Sequence, residues 1–589
     1  MKKLITGNEA VARALWESGG RFISAYPGTP STEITEYAAK YDEIYAEWAP
    51  NEKVALEAAL GASLAGSRAI AAMKMVGVNI AADPLLSIAY TGVSAGLVLI
   101  SADDPQIHSS QNEQDNRHYP RAAKVPMLEP SDSQETLEFT KKAFEISEEY
   151  DIPVMVRLTT RICHGQSLAE LGERDDRPLI PYEKKQWKYN LVPTNARPRH
   201  KSLVERLLRL AELSEKSPLN RMEMKDTSIG VICAGACYQY VKEALPEASV
   251  LKIGFSYPLP QQMIKDFAAQ VDRLYVVEEL DPVMETEIKS WGIEAEGKDL
   301  FSLRGEISHE DISKQIAQRD VEFSHVDKCV PPRPPLLCSG CPHRGTFYVF
   351  HKMGLIVTGD IGCYTLVCLP PIDAMDTGFC MGSSIGVGHG MSQVFDRDPG
   401  NNNGKRVVAA IGESTFIHSG ITPLINVAYN ESDTVTVILD NGITAMTGHQ
   451  PNPTTGFNAK GQPAPAIDMT KLCQACGIDY VVTADPFDLK GFEKTVQAAL
   501  DHEGPAVIIA KRPCILLDKK LQPIPLDLDA EKCIGCGLCL KLGCPALGMK
   551  KDANGKNKAF IEPSQCVDCG LCEQVCPTQA MSGGAKGEK

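Results

Sequence analysis

No run of about eighteen uncharged apolar residues occurs in the 589-residue sequence, which excludes a chain built on membrane-spanning helices. The opening residues, MKKLITGNEAVARALWESGG, place Asn8, Glu9 and Arg13 where a secretory leader needs an apolar stretch. A cytoplasmic location is therefore expected. Positive charge is also in short supply: 60 Lys and Arg face 75 Asp and Glu, for a net charge of -15. Binding to nucleic acid needs a basic surface, so neither nucleic acid nor membrane is an expected partner. The length is too great for one hydrophobic core and predicts about four domains.

Cysteine is abundant, with 20 residues, and eight of them crowd the segment from Cys533 to Cys576. Disulfide scaffolds are short and secreted, so in a reducing compartment this density predicts metal. The same tail differs electrostatically from the body. Residues 527–589 carry eight Lys against eight Asp plus Glu, which leaves the whole net charge on the rest of the chain.

The tail reads Cys533-Ile-Gly-Cys536-Gly-Leu-Cys539-Leu-Lys-Leu-Gly-Cys544-Pro545, then Cys566-Val-Asp-Cys569-Gly-Leu-Cys572-Glu-Gln-Val-Cys576-Pro577. This doubled pattern resembles the two-cluster bacterial ferredoxin signature, in which each run lends its last cysteine to the other cluster. That places Cys533, Cys536, Cys539 and Cys576 on one 4Fe-4S cluster, and Cys566, Cys569, Cys572 and Cys544 on the second. The first run carries one extra residue before Cys544. A zinc ribbon, the alternative, uses two cysteine pairs and leaves the third CxxC cysteine and the following Cys-Pro without a purpose. Two clusters in series conduct electrons, so the chemistry that supplies them should lie upstream.

Upstream, Arg406-Val-Val-Ala-Ala-Ile411 reads as a buried strand ending in Gly412-Glu413-Ser414, and Thr434-Val-Thr-Val-Ile-Leu439 as a second ending in Asp440-Asn441-Gly442. Continuous apolar runs of this length suit parallel strands covered on both faces, and ligands bind at the C-terminal ends of such strands. The pair resembles the diphosphate-binding motif of thiamine-diphosphate enzymes. By that match Glu413, Asn441 and the carbonyl of Ile443 would hold Mg²⁺, a hard cation that takes oxygen ligands. Glu413 and Ser414 replace the Asp and Gly usual in that motif. Two further small-residue segments, Gly359-Asp360-Ile-Gly362-Cys363 and Gly378 to Gly388 with Gly382 at its centre, allow close approach to a flat ring or a phosphate.

Nearer the start, Pro50-Asn51-Glu52 opens a small-residue helical pattern running to Gly66, with Glu52 in the first turn. A glutamate there also suits the helix macrodipole without any catalytic role. Before it, Tyr26-Pro27-Gly28-Thr29-Pro30-Ser31 reads as a strand-end turn, with a helix capped at Ser31 or Thr32. In thiamine-diphosphate enzymes a buried Glu activates the cofactor, and Glu52 fits that place.

Taken in order, these segments resemble the alpha subunit family of indolepyruvate:ferredoxin oxidoreductase, within the thiamine-diphosphate-dependent 2-oxoacid:ferredoxin oxidoreductases, over nearly the whole chain. The resemblance implies an α/β multidomain thiamine-diphosphate-binding fold: a pyrimidine-binding domain at 1–190, a transketolase-C-like domain at 220–325, a diphosphate-binding domain at 330–525 and a ferredoxin-like domain at 527–589. Its cofactors would be thiamine diphosphate, Mg²⁺ and the 4Fe-4S clusters, with coenzyme A as co-substrate. It implies Glu52 as the activating residue and Thr29 beside the substrate, with Gly359, Asp360, Gly362, Cys363, Gly382, Gly412, Glu413, Ser414, Asn441 and Ile443 around the cofactor.

Relatives acting on pyruvate hold a further cluster next to the thiamine, and Cys338, Cys341, Cys363 and Cys514 match that order. Cys363 and Cys368 compete for one of its places. Cys473-Gln-Ala-Cys476 reads as structural, and His343, His108 and His418 are polar candidates without separable roles. The expected activity is oxidative decarboxylation of an arylpyruvate in an anaerobic setting, with a smaller beta subunit, ferredoxin and a dimer of heterodimers as the assembly. The lysines Lys541, Lys550 and Lys551 are expected to meet ferredoxin. An aliphatic 2-oxoacid as substrate and an electron-transfer subunit without thiamine chemistry are the alternatives. Residues 174–201 and Pro331–Pro335 read as linkers.

Overall fold

The computed structural model describes residues 1–321, 331, 334–397, 405–517 and 526–583. The expected domain limits at 330 and 525, and the middle of the Pro331–Pro335 linker, lie outside the described residues. The chain divides into two compact units, residues 1–326 with 458–462, and residues 327–457 with 463–589. Among the described residues no helix is long and apolar enough to cross a membrane.

The first unit is built on a seven-stranded sheet. Leu97–Asp103 and Val154–Thr159 are buried along their whole length and pair in parallel, as continuous apolar strands do when helices cover both faces. Parallel pairing continues through Ala69–Lys74 and Phe22–Ala25 to Tyr45–Trp48. A shared direction brings the C-terminal ends of four strands to one edge, where the chain runs on into Tyr26, Asn51, Lys74 and Asp104. The opposite edge is completed by Phe255–Tyr257, which pairs antiparallel to Met127–Leu128.

That edge strand arrives from a second sheet, in the order Leu274–Val277, Asp226–Ala234, Ala248–Ile253, Arg221–Glu223. Buried charge ties the two sheets together. Arg117 reaches Glu278 at 2.5 Å and Asp115 at 2.5 Å, and Lys252 reaches Glu135 at 2.6 Å. Cations and carboxylates withdrawn from water together in this way are stable only as complete sets, because removing one leaves the other unpaired.

The second unit carries a five-stranded, all-parallel sheet in the order Ile356–Thr358, Val407–Gly412, Val435–Asp440, Ala506–Lys511, Tyr480–Ala484. Both runs read as buried strands in the sequence are therefore neighbours, with Val408 opposite Val435. The cysteine-rich tail is continuous with this sheet's core. Leu526, Leu542, Ala546, Leu571 and Met581 belong to the same buried apolar cluster as Val408, Val437 and Ile508. Gly340, at φ +70°, lets the tail approach: a Cβ there would sit 2.6 Å from the Val567 side chain.

Glu279 offers a test of the buried charge between the sheets of the first unit. Burial pushes its carboxyl up to about 7, with Arg157 and Arg117 opposing the rise and Glu306 adding to it. A raised carboxyl pKa contributes stability that is full below about 4.5 and lost as pH rises through about 7. Glu279→Gln is expected to remove up to about 3 kcal/mol of this pH dependence, read as a flatter thermal transition temperature between pH 5 and 8 than the unsubstituted chain shows.

Candidate functional site

In the first unit the helix Glu52–Leu64 begins where the sequence places it. Asn51 stands at the N-cap, its side chain accepting from the Val54 amide at 3.0 Å. Glu52 follows in the first turn and is 5 % exposed. The helix Met75–Thr91 passes so close that a Cβ on Gly77 would fall 2.6 Å from the Glu52 side chain, so Gly77 makes the space in which that carboxylate sits.

The Tyr26–Ser31 turn departs from expectation in one respect. Ser31 occupies the N-cap position of Thr32–Ala38, yet its hydroxyl does not cap the helix and donates to the Gly28 carbonyl at 2.8 Å instead. The turn is closed by its own serine. The Thr29 carbonyl accepts from the Ser109 hydroxyl at 3.4 Å, which ties this turn to the loop after Asp104.

Sequence reasoning missed Lys74. It ends its strand against Gly28 and donates to the Ser109 carbonyl at 2.9 Å. Burial lowers its pKa to about 8, against the pull of Asp104 and Glu52. Asp104 itself, despite burial, is held below its ordinary value by the Ser110 hydroxyl, the Ser109 amide and the Thr160 hydroxyl. A lysine ending a buried strand, in Ala-Met-Lys, was the available signal. His108 lies 3.1 Å from Glu306, at the margin of this unit's charged groups.

In the second unit the four loops at the C-terminal ends of the sheet converge. Asp360 is fully buried and accepts from the amides of Ile361, Gly382 and Ser384 at 2.9, 2.9 and 3.0 Å, at the start of helix Ser383–Phe395. Its carboxylate thus joins the two small-residue segments. Tyr364 joins the first of these to the next loop: its hydroxyl donates to the Ile361 carbonyl at 3.1 Å and accepts from the Gly412 amide at 3.0 Å.

Glu413 is 2 % exposed, and burial together with Asp440 pushes its carboxyl up to about 8. It accepts from the Asn452 amide at 3.1 Å and from the backbone of Asn441. Asn441 in turn accepts from the Ile443 amide at 3.0 Å, and its own amide lies 3.4 Å from the His343 ring. Burial lowers His343 to about 4, so it is neutral at physiological pH. Ser414 accepts from Thr444 at 2.9 Å. His418 is buried one helical turn away, with Ser419 at 2.6 Å.

Glu413 and Asp440, buried together beside the side-chain oxygens of Asn441 and Ser414, form a hard oxygen donor set of the kind Mg²⁺ takes. Asn452 was not read from the sequence, where it appears only as the polar residue of a Pro-Asn-Pro turn.

Thiols abut this corner. The Cys363 thiol is pushed up to about 11 by burial and by Cys514 and Cys338, with Glu413 contributing. Cys341 rises to about 12 through burial, with Cys338 and Cys363 adding, and Cys514 rises through burial, with Cys338 and Glu413 adding. Of the two competing residues, Cys363 is half-buried and interacts with Cys338, Cys341 and Cys514, while Cys368 is exposed.

In the tail, Cys544, Cys566, Cys569 and Cys572 line one small pocket among Leu526, Leu542 and Leu571. Cys539 rises through burial, with Cys536, Cys533 and Cys576 adding. The extra residue before Cys544 does not keep it from its set. Four cysteines converging on one apolar pocket are the residue type that iron takes as thiolate ligands. Cys473, by contrast, packs among Ile411 and Ile438. Lys541, Lys550 and Lys551 are exposed.

Three family descriptions match the chain: "Pyruvate flavodoxin/ferredoxin oxidoreductase, thiamine diP-bdg" over residues 13–207, "Thiamine pyrophosphate enzyme, C-terminal TPP binding domain" over 360–510, and "4Fe-4S dicluster domain" over 532–580. Among curated proteins it is 40 % identical to indolepyruvate oxidoreductase subunit IorA of Methanothermobacter thermautotrophicus, covering 100 % of this chain and 98 % of that one. It is also 40 % identical to the same-named subunit of Pyrococcus abyssi, over 99 % and 97 %. It is 26 % identical to 2-oxoglutarate synthase subunit KorA of Archaeoglobus fulgidus, over 47 % and 87 %.

The thiol sets give a direct test. Cys514→Ser should lower bound iron by about four atoms per chain, whereas Cys368→Ser should leave it unchanged, as measured by iron and sulfide analysis of anaerobically purified protein. Loss of iron from the Cys368 variant would reverse the assignment.

Proposed function

The chain belongs to the family of indolepyruvate oxidoreductase subunit IorA, and on that premise we propose that it is the catalytic subunit that converts arylpyruvates, with coenzyme A, to aryl-acetyl-CoA and CO₂ while reducing ferredoxin. It is a thiamine-diphosphate-dependent 2-oxoacid:ferredoxin oxidoreductase of the indolepyruvate type. The observation that carries the proposal is the contact of Cys514 with the hard-oxygen corner of Glu413 and Asn441: the Cys514 amide donates to the Asn441 carbonyl at 2.8 Å.

Thiamine diphosphate, when bound, supplies the electron sink for loss of CO₂ from a 2-oxoacid. The residues of this chain would do the rest. Glu413, Asn441 and the Ile443 carbonyl would hold Mg²⁺, and the loops of Gly359, Gly362, Gly382, Gly412 and Ser414 would border the cofactor. Glu52 would activate the cofactor, and Thr29 would stand beside the substrate. Cys338, Cys341, Cys363 and Cys514 would hold the cluster nearest the Mg²⁺ corner, Cys544, Cys566, Cys569 and Cys572 the next, and Cys533, Cys536, Cys539 and Cys576 the last, together supplying a path for electrons to ferredoxin. A smaller beta subunit completes the enzyme as a dimer of heterodimers in the cytoplasm, and ferredoxin docks at Lys541, Lys550 and Lys551.

With the partner subunit present, indolepyruvate and phenylpyruvate should be turned over faster than pyruvate; the reverse order would assign an aliphatic 2-oxoacid. Glu52→Gln should lower turnover by ~10²–10⁴-fold and leave thiamine diphosphate content unchanged. Reversing the three lysines to Glu should raise the KM for ferredoxin and weaken its salt dependence. An unchanged KM would place docking elsewhere.

A further inference from the structure

Arg344 is a fully charged side chain buried in an unusual place. It is 2 % exposed, and among the described residues it forms no ion pair with an Asp or Glu. Its guanidinium donates to three backbone carbonyls: Cys338 at 3.1 Å, Leu542 at 2.8 Å, and Leu337. Two of these precede or belong to the Cys338-Ser-Gly-Cys341 loop, and the third lies in the tail next to Gly543, whose Cβ position is 3.3 Å from the guanidinium.

The Arg344 side chain lines the same pocket as Cys544, Cys566, Cys569 and Cys572, and its bond to the Cys338 carbonyl sets it against the Cys338-Ser-Gly-Cys341 loop as well. The loops themselves touch, with Cys544 Sγ 3.9 Å from Ser339 Oγ.

A guanidinium cannot lose its proton in a protein, and a buried cation without an anion is costly. The cost is offset if the thiols on both sides are thiolates ligating iron, because each such cluster carries net negative charge that grows on reduction. Net charge and hydrogen bonding around a cluster set its potential.

We infer that Arg344 is the positioning residue for the electron step between these two cluster sites, its fixed charge favouring the reduced state of both. In that step one electron leaves the cluster held by Cys338, Cys341, Cys363 and Cys514, which is oxidised, and enters the cluster held by Cys544 and its partners, which is reduced. No proton moves. A positive charge beside both sites raises both potentials, because it stabilises the more negative, reduced form of each. The inference rests on the cluster assignment proposed above.

The test uses the full chain with its partner subunit, loaded anaerobically, as unsubstituted protein, Arg344→Gln and Arg344→Lys. Iron and sulfide content reports the assignment, and redox titration followed by electron paramagnetic resonance reports the inference. Arg344→Gln should keep its iron and shift two of three midpoint potentials downward by at least tenfold in the one-electron equilibrium, which is 59 mV, leaving the third in place. Arg344→Lys should shift none of them. Unmoved potentials in Arg344→Gln, or equal shifts of all three, would overturn the inference while the assignment stands.

If Arg344→Gln takes up no iron, Arg344→Lys decides. Full iron with unmoved potentials upholds the role of the charge, and lost iron or shifted potentials reduce Arg344 to a brace for three carbonyls. About eight irons in the unsubstituted protein would remove the Cys338 site and the inference with it.

Discussion

The second unit depends on burying thiols in an apolar core. Cys341, Cys533, Cys539, Cys566 and Cys572 belong to the same buried cluster as the central strands of the parallel sheet, and burial raises Cys341, Cys363, Cys514, Cys539, Cys569 and Cys572 above their ordinary values. A thiol gives up its proton when it ligates a metal, so ligation is what would offset the burial of sulfur as thiolate in this core. The tail is accordingly more than an appended carrier. Its leucines complete the core of the sheet, and Arg344 bonds to carbonyls on both sides of the join.

The parallel sheets supply the second condition. Strands that share a direction deliver their C-terminal loops to one edge, and each unit uses that edge once. In the first, Glu52, Lys74, Asp104 and the Tyr26–Ser31 turn gather there. In the second, Asp360, Glu413, Asn441 and Cys514 do. The carboxylates on these loops are of two kinds. Asp360 is taken up by backbone amides and holds loops together, whereas Glu413, close to Asp440, is buried with few donors and offers hard oxygen to a cation.

Glu413 in place of the usual Asp has a local counterpart. The longer side chain reaches the Asn452 amide at 3.1 Å, and Asn452 in turn lies 3.3 Å from Thr444. The added methylene is thus accommodated by a residue brought in from a later turn, and Ser414, in the place of Gly, is fixed by the same Thr444.

The sequence by itself determined the fold class, the two buried parallel strands, the start of the Glu52 helix and the spacing of the tail cysteines. All of these are local: an apolar run of strand length, an Asn at a helix N-cap, two residues between thiols. It left the choice between Cys363 and Cys368 open, because two positions of equal chemistry lie only five residues apart in the sequence, and only the packing of loops sets Cys363 near Cys338 and Cys514. For the same reason it offered only local signals for Asn452, in a Pro-Asn-Pro turn, for Lys74, at the end of an apolar strand, and for Arg344, at the end of the Cys338-to-Arg344 segment, without their roles. Each draws its meaning from groups far along the chain: Glu413, Glu52 and Asp104, and the carbonyl of Leu542. Burial, which turns a common polar side chain into one with a shifted charge and few possible partners, is a property of the tertiary structure alone.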